Sequence, residues 1–179
     1  MSRTDPVLAA LGLAEDRVAG LLAGLRARGE TVATAESLTA GLVVGALTCV
    51  SGASDVVRGG LVVYATDLKA TLAGVSRPLL AEHGAVHPEV AARLATGARR
   101  GCAATWGLGL TGVAGPDPQD GVAPGRVYVA LAGSDDPDDL VVRTLDLSGD
   151  RQAVRAAAVV AALGLLAHTI GVEGWPADG

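Results

Sequence analysis

Apolar residues recur at helical spacing from about Val7 to Arg28 and stop at Gly29, which predicts a first helix with a glycine end. Thr31 to Ala35 then predicts a short strand. Helical spacing resumes over Leu42 to Val50 and runs into the turn-forming Ser51-Gly52-Ala53-Ser54. The apolar, valine-containing run Leu61 to Ala65 predicts a buried strand. Thr66-Asp67 follow it as the cap and first turn of a helix that ends near Gly74 and carries Lys69 in its first turn. His87 precedes Pro88, a proline suited to the first position of a helix running through Arg99. The second half reads as a strand from Trp106 to Thr111, a loop from Val113 to Gly125 rich in Gly, Pro and Asp, and a strand from Arg126 to Ala132. A polar turn at Asp135 to Asp139, a strand from Val141 to Leu147 and a long helix from about Gly149 complete the pattern.

About five strands interleaved with helices predict an α/β sheet covered on both faces, and the hairpin-like pair after the loop makes that sheet mixed. At 179 residues, without an internal repeat, low-complexity run or linker, a single domain is expected. Half of the residues are hydrophobic and 18% are charged, so a sizeable core is available and disorder is excluded. The most apolar stretch, Ala156 to Ile170, is short of the ~20 residues that span a bilayer and reads as a buried helix. Asp5, Glu15 and Asp16 interrupt the N-terminal region where an export signal would need an apolar run, so a cytoplasmic protein without membrane association is expected. A net charge of −5 and an aromatic content of 2% argue against nucleic acid as a partner, because neither a basic surface nor stacking platforms are supplied.

Cys49 and Cys102 lack metal-site spacing and read as small buried hydrophobes. His83 and His87 have the spacing of a helical metal pair, but Gly84 and Pro88 break the helix that would present them and no further ligand cluster exists. Lys69 changes the picture more. It is the one lysine among 14 basic residues, either a leftover surface lysine or a position that must lose a proton and so cannot be filled by a permanently charged guanidinium.

Four segments carry candidate chemistry. Ala35-Glu36-Ser37-Leu38-Thr39-Ala40-Gly41 sits where a strand end meets a helix, the edge at which α/β proteins bind ligands, and Ser37 is either a nucleophile or the helix cap. Tyr64 to Lys69 occupies a second such junction; if the two strands are neighbours, Lys69 faces Ser37, and a neutral lysine takes a serine proton in Ser/Lys catalysis. Leu110-Thr111-Gly112-Val113-Ala114-Gly115-Pro116-Asp117 is either a ligand-approaching loop or an ordinary glycine turn. Upstream, Gly107, Gly109 and Gly112 spell a dinucleotide fingerprint inside a strand with no helix after it, and that reading is rejected. In Ser148-Gly149-Asp150-Arg151, with Arg155 one turn on, the arginines either anchor a phosphate at a helix N-terminus or stand in solvent while Asp150 caps the helix.

Taken together and in order, these segments resemble the CinA C-terminal-domain family, the nicotinamide-nucleotide amidases. The family motif A-E-S-C-T-G-G is resembled by Ala35 to Gly41, Y-S-N-E-x-K by Tyr64 to Lys69, and H-G-A-V by His83 to Val86. T-G-x-A-G-P-D is matched at Thr111 to Asp117 and G-D-R-x-x-V-R at Gly149 to Arg155. Leu38, Ala40, Ala65, Thr66 and Asp67 depart from the pattern. The resemblance implies a three-layer α/β/α sandwich with a mixed, mostly parallel sheet, in the stand-alone form without the second domain of fused members. It also implies hydrolysis of the carboxamide of nicotinamide mononucleotide (NMN) to nicotinate mononucleotide and ammonia, with no metal or organic cofactor. Carried over, Ser37, Lys69, Tyr64 and Thr111 are the catalytic set, and Glu36, Thr39, Gly41, Thr66, Gly112, Gly115 and Arg151 the substrate-binding set. Self-association is compatible with so apolar a small domain. A non-catalytic nucleotide-binding or partner module on the same fold is the competing expectation.

Overall fold

In the computed structural model, residues 5–133 and 139–175 are described. The elements are α1 (Pro6–Ala10), α2 (Glu15–Arg28), β1 (Val32–Glu36), α3 (Leu42–Thr48), a 3-10 turn (Ala53–Asp55), β2 (Val57–Val62), α4 (Thr66–Thr71) and α5 (Arg77–His83), followed by α6 (Pro88–Gly101), β3 (Trp106–Gly112), β4 (Arg126–Ala132), β5 (Leu140–Asp146) and α7 (Arg151–Thr169). The five strands form one sheet in the order β2-β1-β3-β4-β5. β1 pairs in parallel with β2 and β3, while β4 runs antiparallel to β3 and to β5, so β4 alone is reversed.

The period of two along each strand sorts side chains by size. Val32, Leu108, Leu110, Val127, Val129 and Leu131 point to one face, where α1, α2, α3 and α7 bury them in the larger core. Ala33, Ala35, Ala130 and Ala132 point to the other, against α4, α5 and α6. On that face β3 presents Gly107 and Gly109, and a methyl group at either would overlap the backbone oxygen of Ala95 or Ala91 on α6. Two of the three rejected fingerprint glycines, Gly107 and Gly109, therefore serve close helix-on-sheet packing. α7 has 19 residues and a mean hydropathy of 1.4, enough by length and composition to cross a membrane, yet half of it is buried in the core.

Several expectations shift. The first helix is two, because Gly12 adopts a left-handed φ of 66° and turns the chain between α1 and α2. The second strand starts earlier, at Val57, through Gly59 and Gly60 that hid it from an apolar pattern, and ends before Tyr64. α5 was not expected; Ser76 caps it and a proline enters its first turn. The helix carrying Lys69 stops at Thr71 rather than near Gly74. Most of the polar turn expected at Asp135 to Asp139 lies outside the described residues. Both cysteines are half-buried rather than buried, and Cys49 Sγ donates to Asp5 Oδ1 at 3.2 Å. Burial and that carboxylate push the Cys49 thiol up to about 11.

Candidate active site

The carboxyl ends of β1 and β3, together with the segment that follows β2, meet at one edge, and the reversal of β4 returns the 113–125 loop to the same edge. There a cleft of about 290 Å3 is lined by Ser37, Leu38, Tyr64, Ala85, Thr111, Gly112, Gly115, Gln119 and Arg151 among others. The fold thus brings together four of the expected segments around one opening.

Ser37 leaves β1 with its N–H donating to Leu110 O at 3.0 Å, and it lies buried at the cleft wall. It does not cap α3: that place belongs to Gly41, which takes a φ of 94°. Lys69 is only 1% exposed and is not among the residues that line the cleft. Its Nζ donates to Val63 O at 2.9 Å and Tyr64 O at 3.3 Å. Val63 N–H in turn donates to Glu36 O at 2.9 Å, so the ammonium head is one backbone link from the residue before Ser37. Burial pulls Lys69 from 10.5 down to about 8, against the opposing charge of Asp120.

Thr111 is also buried, and its hydroxyl donates to Ala85 O at 2.6 Å. Asp120 Oδ2 accepts the Ala85 N–H at 3.2 Å, so both polar groups of Ala85 are held. Asp120 has a left-handed φ of 49° and was not singled out in the sequence, although an Asp-Gly pair in a loop is a turn signal. Arg151 lies across the cleft mouth, donating to Gly115 O at 3.0 Å and to the Tyr64 hydroxyl at 3.1 Å. Gly112 has no room for a side chain, since a methyl group would press on Arg126 O and the Val127 backbone at 2.8 Å.

Four residues expected to bind substrate stand elsewhere. Glu36 is fully buried, and its carboxylate accepts from Thr34 Oγ1 and from the N–H groups of Gly41, Val43 and Val44 at 2.9–3.0 Å. It closes the N-terminus of α3, where four orphan N–H groups need acceptors. Gly41 supplies one of those N–H groups. Thr39 is fully buried, with a hydroxyl that lacks a partner among the described residues. Thr66 is exposed on a separate, shallow hollow with Asp67 and Arg77.

Of the two alternatives for the α7 arginines, the one that leaves both in solvent fails, because both guanidiniums are engaged. Asp150 caps the helix through the N–H groups of Gln152 and Ala153, both at 2.9 Å, yet Arg151 and Arg155 are bonded to backbone carbonyls rather than free. His83 and His87 stack with ring centroids 4.2 Å apart, and His87 Nδ1 accepts the Glu89 N–H at 3.3 Å as the cap of α6. Among the described residues no group of three metal-ligating side chains is found.

Comparison with known proteins places this geometry. A family model described as the CinA C-terminal domain matches residues 14–170. A CinA-like protein of Frankia casuarinae is 48% identical over 156 residues, covering 87% of this chain and 35% of its own length. One from Gloeobacter violaceus is 41% identical over 170 residues, covering 94% and 40%. The chain thus spans little more than a third of the curated relatives it matches. Among solved structures, the competence/damage inducible protein CihA of Agrobacterium tumefaciens superposes with a TM-score of 0.83 at 29% identity, covering 96% of this chain and 99% of that one. A CinA superfamily protein of Enterobacter cloacae gives 0.82 at 28% identity, with 95% of each chain covered. In sequence across nearly its whole described length, and in fold, this chain belongs to the CinA C-terminal domain family.

Proposed function

We propose that the protein hydrolyses the carboxamide of NMN to nicotinate mononucleotide and ammonia through a Ser37/Lys69 pair, in the cytoplasm and without a metal or organic cofactor. The observation that carries this reading is the setting of Lys69. A neutral amine has two N–H donors and one lone pair. Val63 O and Tyr64 O accept the two donors, which leaves the lone pair of the neutral amine as the base that the proposed step assigns to the Ser37 hydroxyl. Burial that holds the group near 8 makes the neutral form accessible at working pH.

Ser37 Oγ attacks the amide carbon as its proton passes to Lys69 Nζ, giving a tetrahedral oxyanion. Backbone N–H groups beside Ser37 or at Gly112 stabilise that charge. Lys69 returns the proton to the nitrogen, ammonia leaves, and Nζ is neutral again. Water then attacks the acyl ester with Lys69 as base, releasing the carboxylate and restoring Ser37. Tyr64 and Thr111 order the Lys69 side of the cleft, and Arg151 at its mouth receives the 5′-phosphate, exchanging its bonds to Tyr64 and Gly115 for the stronger charged pair.

Ammonia release on incubation with NMN tests the proposal, with the dinucleotide NAD and nicotinamide riboside as comparison substrates. Turnover of NMN that vanishes in Ser37→Ala is the expected result. Binding of NMN with no ammonia from the wild-type protein would overturn it in favour of a non-catalytic nucleotide-binding module.

A further inference from the structure

We infer that Arg155 is a positioning residue for the nucleophile: its guanidinium locks the backbone turn after Ser37 and thereby aims the N–H that receives the oxyanion. The inference rests on the amidase reading above and adds a residue to it.

The turn from Ser37 to Ala40 is closed by the Ala40 N–H on Ser37 O at 3.1 Å. Arg155 reaches it from α7, with Nε donating to Leu38 O at 2.9 Å and Nη2 donating to Thr39 O at 3.1 Å. Nη1 donates to Gln152 Oε1 at 2.9 Å, which fixes the plane of the fork. Thr39 O also accepts the Leu42 N–H at 3.1 Å. The carbonyls of Ser37, Leu38 and Thr39 are therefore all held, two of them by one side chain. In a trans peptide the N–H points away from its carbonyl, so holding three consecutive carbonyls also sets the N–H groups of Leu38, Thr39 and Ala40. Leu38 lines the cleft next to Ser37, and the N–H of the residue after a nucleophile is a recurrent oxyanion donor.

The turn needs an external tie. It ends in two left-handed residues, Ala40 at φ 50° and Gly41 at φ 94°, and a non-glycine residue in that region persists only where its surroundings over-determine it. Glu36 ties the Gly41 end and Arg155 the Ser37 end. The guanidinium also sits behind the Leu38 and Thr39 carbonyls, where its charge polarises the peptides it holds. Arg155 borders a separate apolar hollow with Pro6, Val7 and Leu42 rather than the cleft, so the phosphate is left to Arg151.

The test compares Arg155→Met, which keeps an apolar stem and removes every donor, with Arg155→Lys, which keeps the charge but not the fork. Steady-state kinetics on NMN are read beside the affinity of the mononucleotide of pyridine-3-carbaldehyde. Ser37 Oγ adds to that aldehyde carbon, its proton passing to the former carbonyl oxygen, so the hemiacetal oxygen occupies the oxyanion position. In Arg155→Met, kcat is expected to fall by ~10²-fold or more, the loss seen when an oxyanion donor is removed, with KM within about threefold of wild type. Aldehyde affinity should fall in parallel. Arg155→Lys should lie between, at least ~10-fold below wild type in kcat. A kcat within about threefold of wild type in either variant, or a loss carried wholly by KM, overturns the inference. If Arg155→Met does not fold, Arg155→Lys decides alone by the same limits. Failure of the amidase reading looks different: wild-type protein inert on NMN, or Ser37→Ala as active as wild type, whatever Arg155 does.

Discussion

In the proposed mechanism Lys69 joins burial to chemistry at a single atom, because the desolvation that costs the ammonium its stability also favours the neutral amine. Its folded value, about 8, lies below its ordinary 10.5, so between those pH values the unfolded chain holds a proton that the native protein has lost. Stability must then rise with pH across that window, by a total on the order of 3 kcal/mol, whereas below about pH 8 the full penalty is present. Urea midpoints of wild type and Lys69→Met, measured at intervals from pH 7 to 10.5, should show a stability difference that shifts in favour of wild type as pH rises. Parallel curves would mean that Lys69 keeps an ordinary pKa. On the activity side, kcat/KM for NMN should rise through an ionisation near 8. Arg151 gives a second test: Arg151→Ala should raise KM for NMN more than for nicotinamide riboside, which lacks the phosphate. An equal loss on both substrates would assign Arg151 to cleft structure alone, through its bonds to Tyr64 and Gly115.

Among the elements, the clearest design is the division of the sheet into a large-residue face and a small-residue face. Gly107→Ala or Gly109→Ala should lift α6 from β3 and destabilise the fold by about 3 kcal/mol or more. Gly101→Ala, at the end of the same helix with open space around its Cα, should be neutral or gain up to about 1 kcal/mol. Thermal unfolding of the three variants checks the contrast; equal effects would dissolve it. Glu36→Gln should cost about 2 kcal/mol or more, because an amide replaces charged acceptance of three helix N–H groups and turns a donor toward one of them. Most elements were legible in the sequence because periodicity survives wherever the core imposes it. β2 and the α1–α2 break were not, since glycines carry no hydropathy pattern and a left-handed residue is visible only as geometry. Ser37, Tyr64 and Thr111 stood out in the sequence as residues at or just past strand ends, and Lys69 as the lone lysine in the helix after β2. Glu36 was misplaced because a carboxylate beside a nucleophile looks the same in sequence whether it faces the cleft or the helix. Arg155 likewise shows its task only once α7 is seen to lie against the turn after β1.

For the whole molecule, the cleft draws on segments as far apart as Ser37 and Arg151, so a ligand held there must be released before global unfolding. NMN added to Ser37→Ala at 100 times its Kd should therefore raise the stability of the whole domain by ~2.7 kcal/mol in one cooperative transition. A stabilisation confined to one segment, seen by hydrogen exchange, would place the ligand elsewhere. The single reversed strand has another outcome. Because β4 runs back, both ends of the 113–125 loop emerge side by side, cross-tied by Val113 N–H on Arg126 O and Gly125 N–H on Val113 O at 2.9 and 2.7 Å. Doubling the length of a loop anchored in this way costs only about 0.6 kcal/mol of closure entropy. The stretch over the cleft can thus change length between its ties at little cost to the sheet, while Gly115, which holds Arg151, and Asp120, which holds Ala85 and acts on Lys69, are the points where such a change reaches the site.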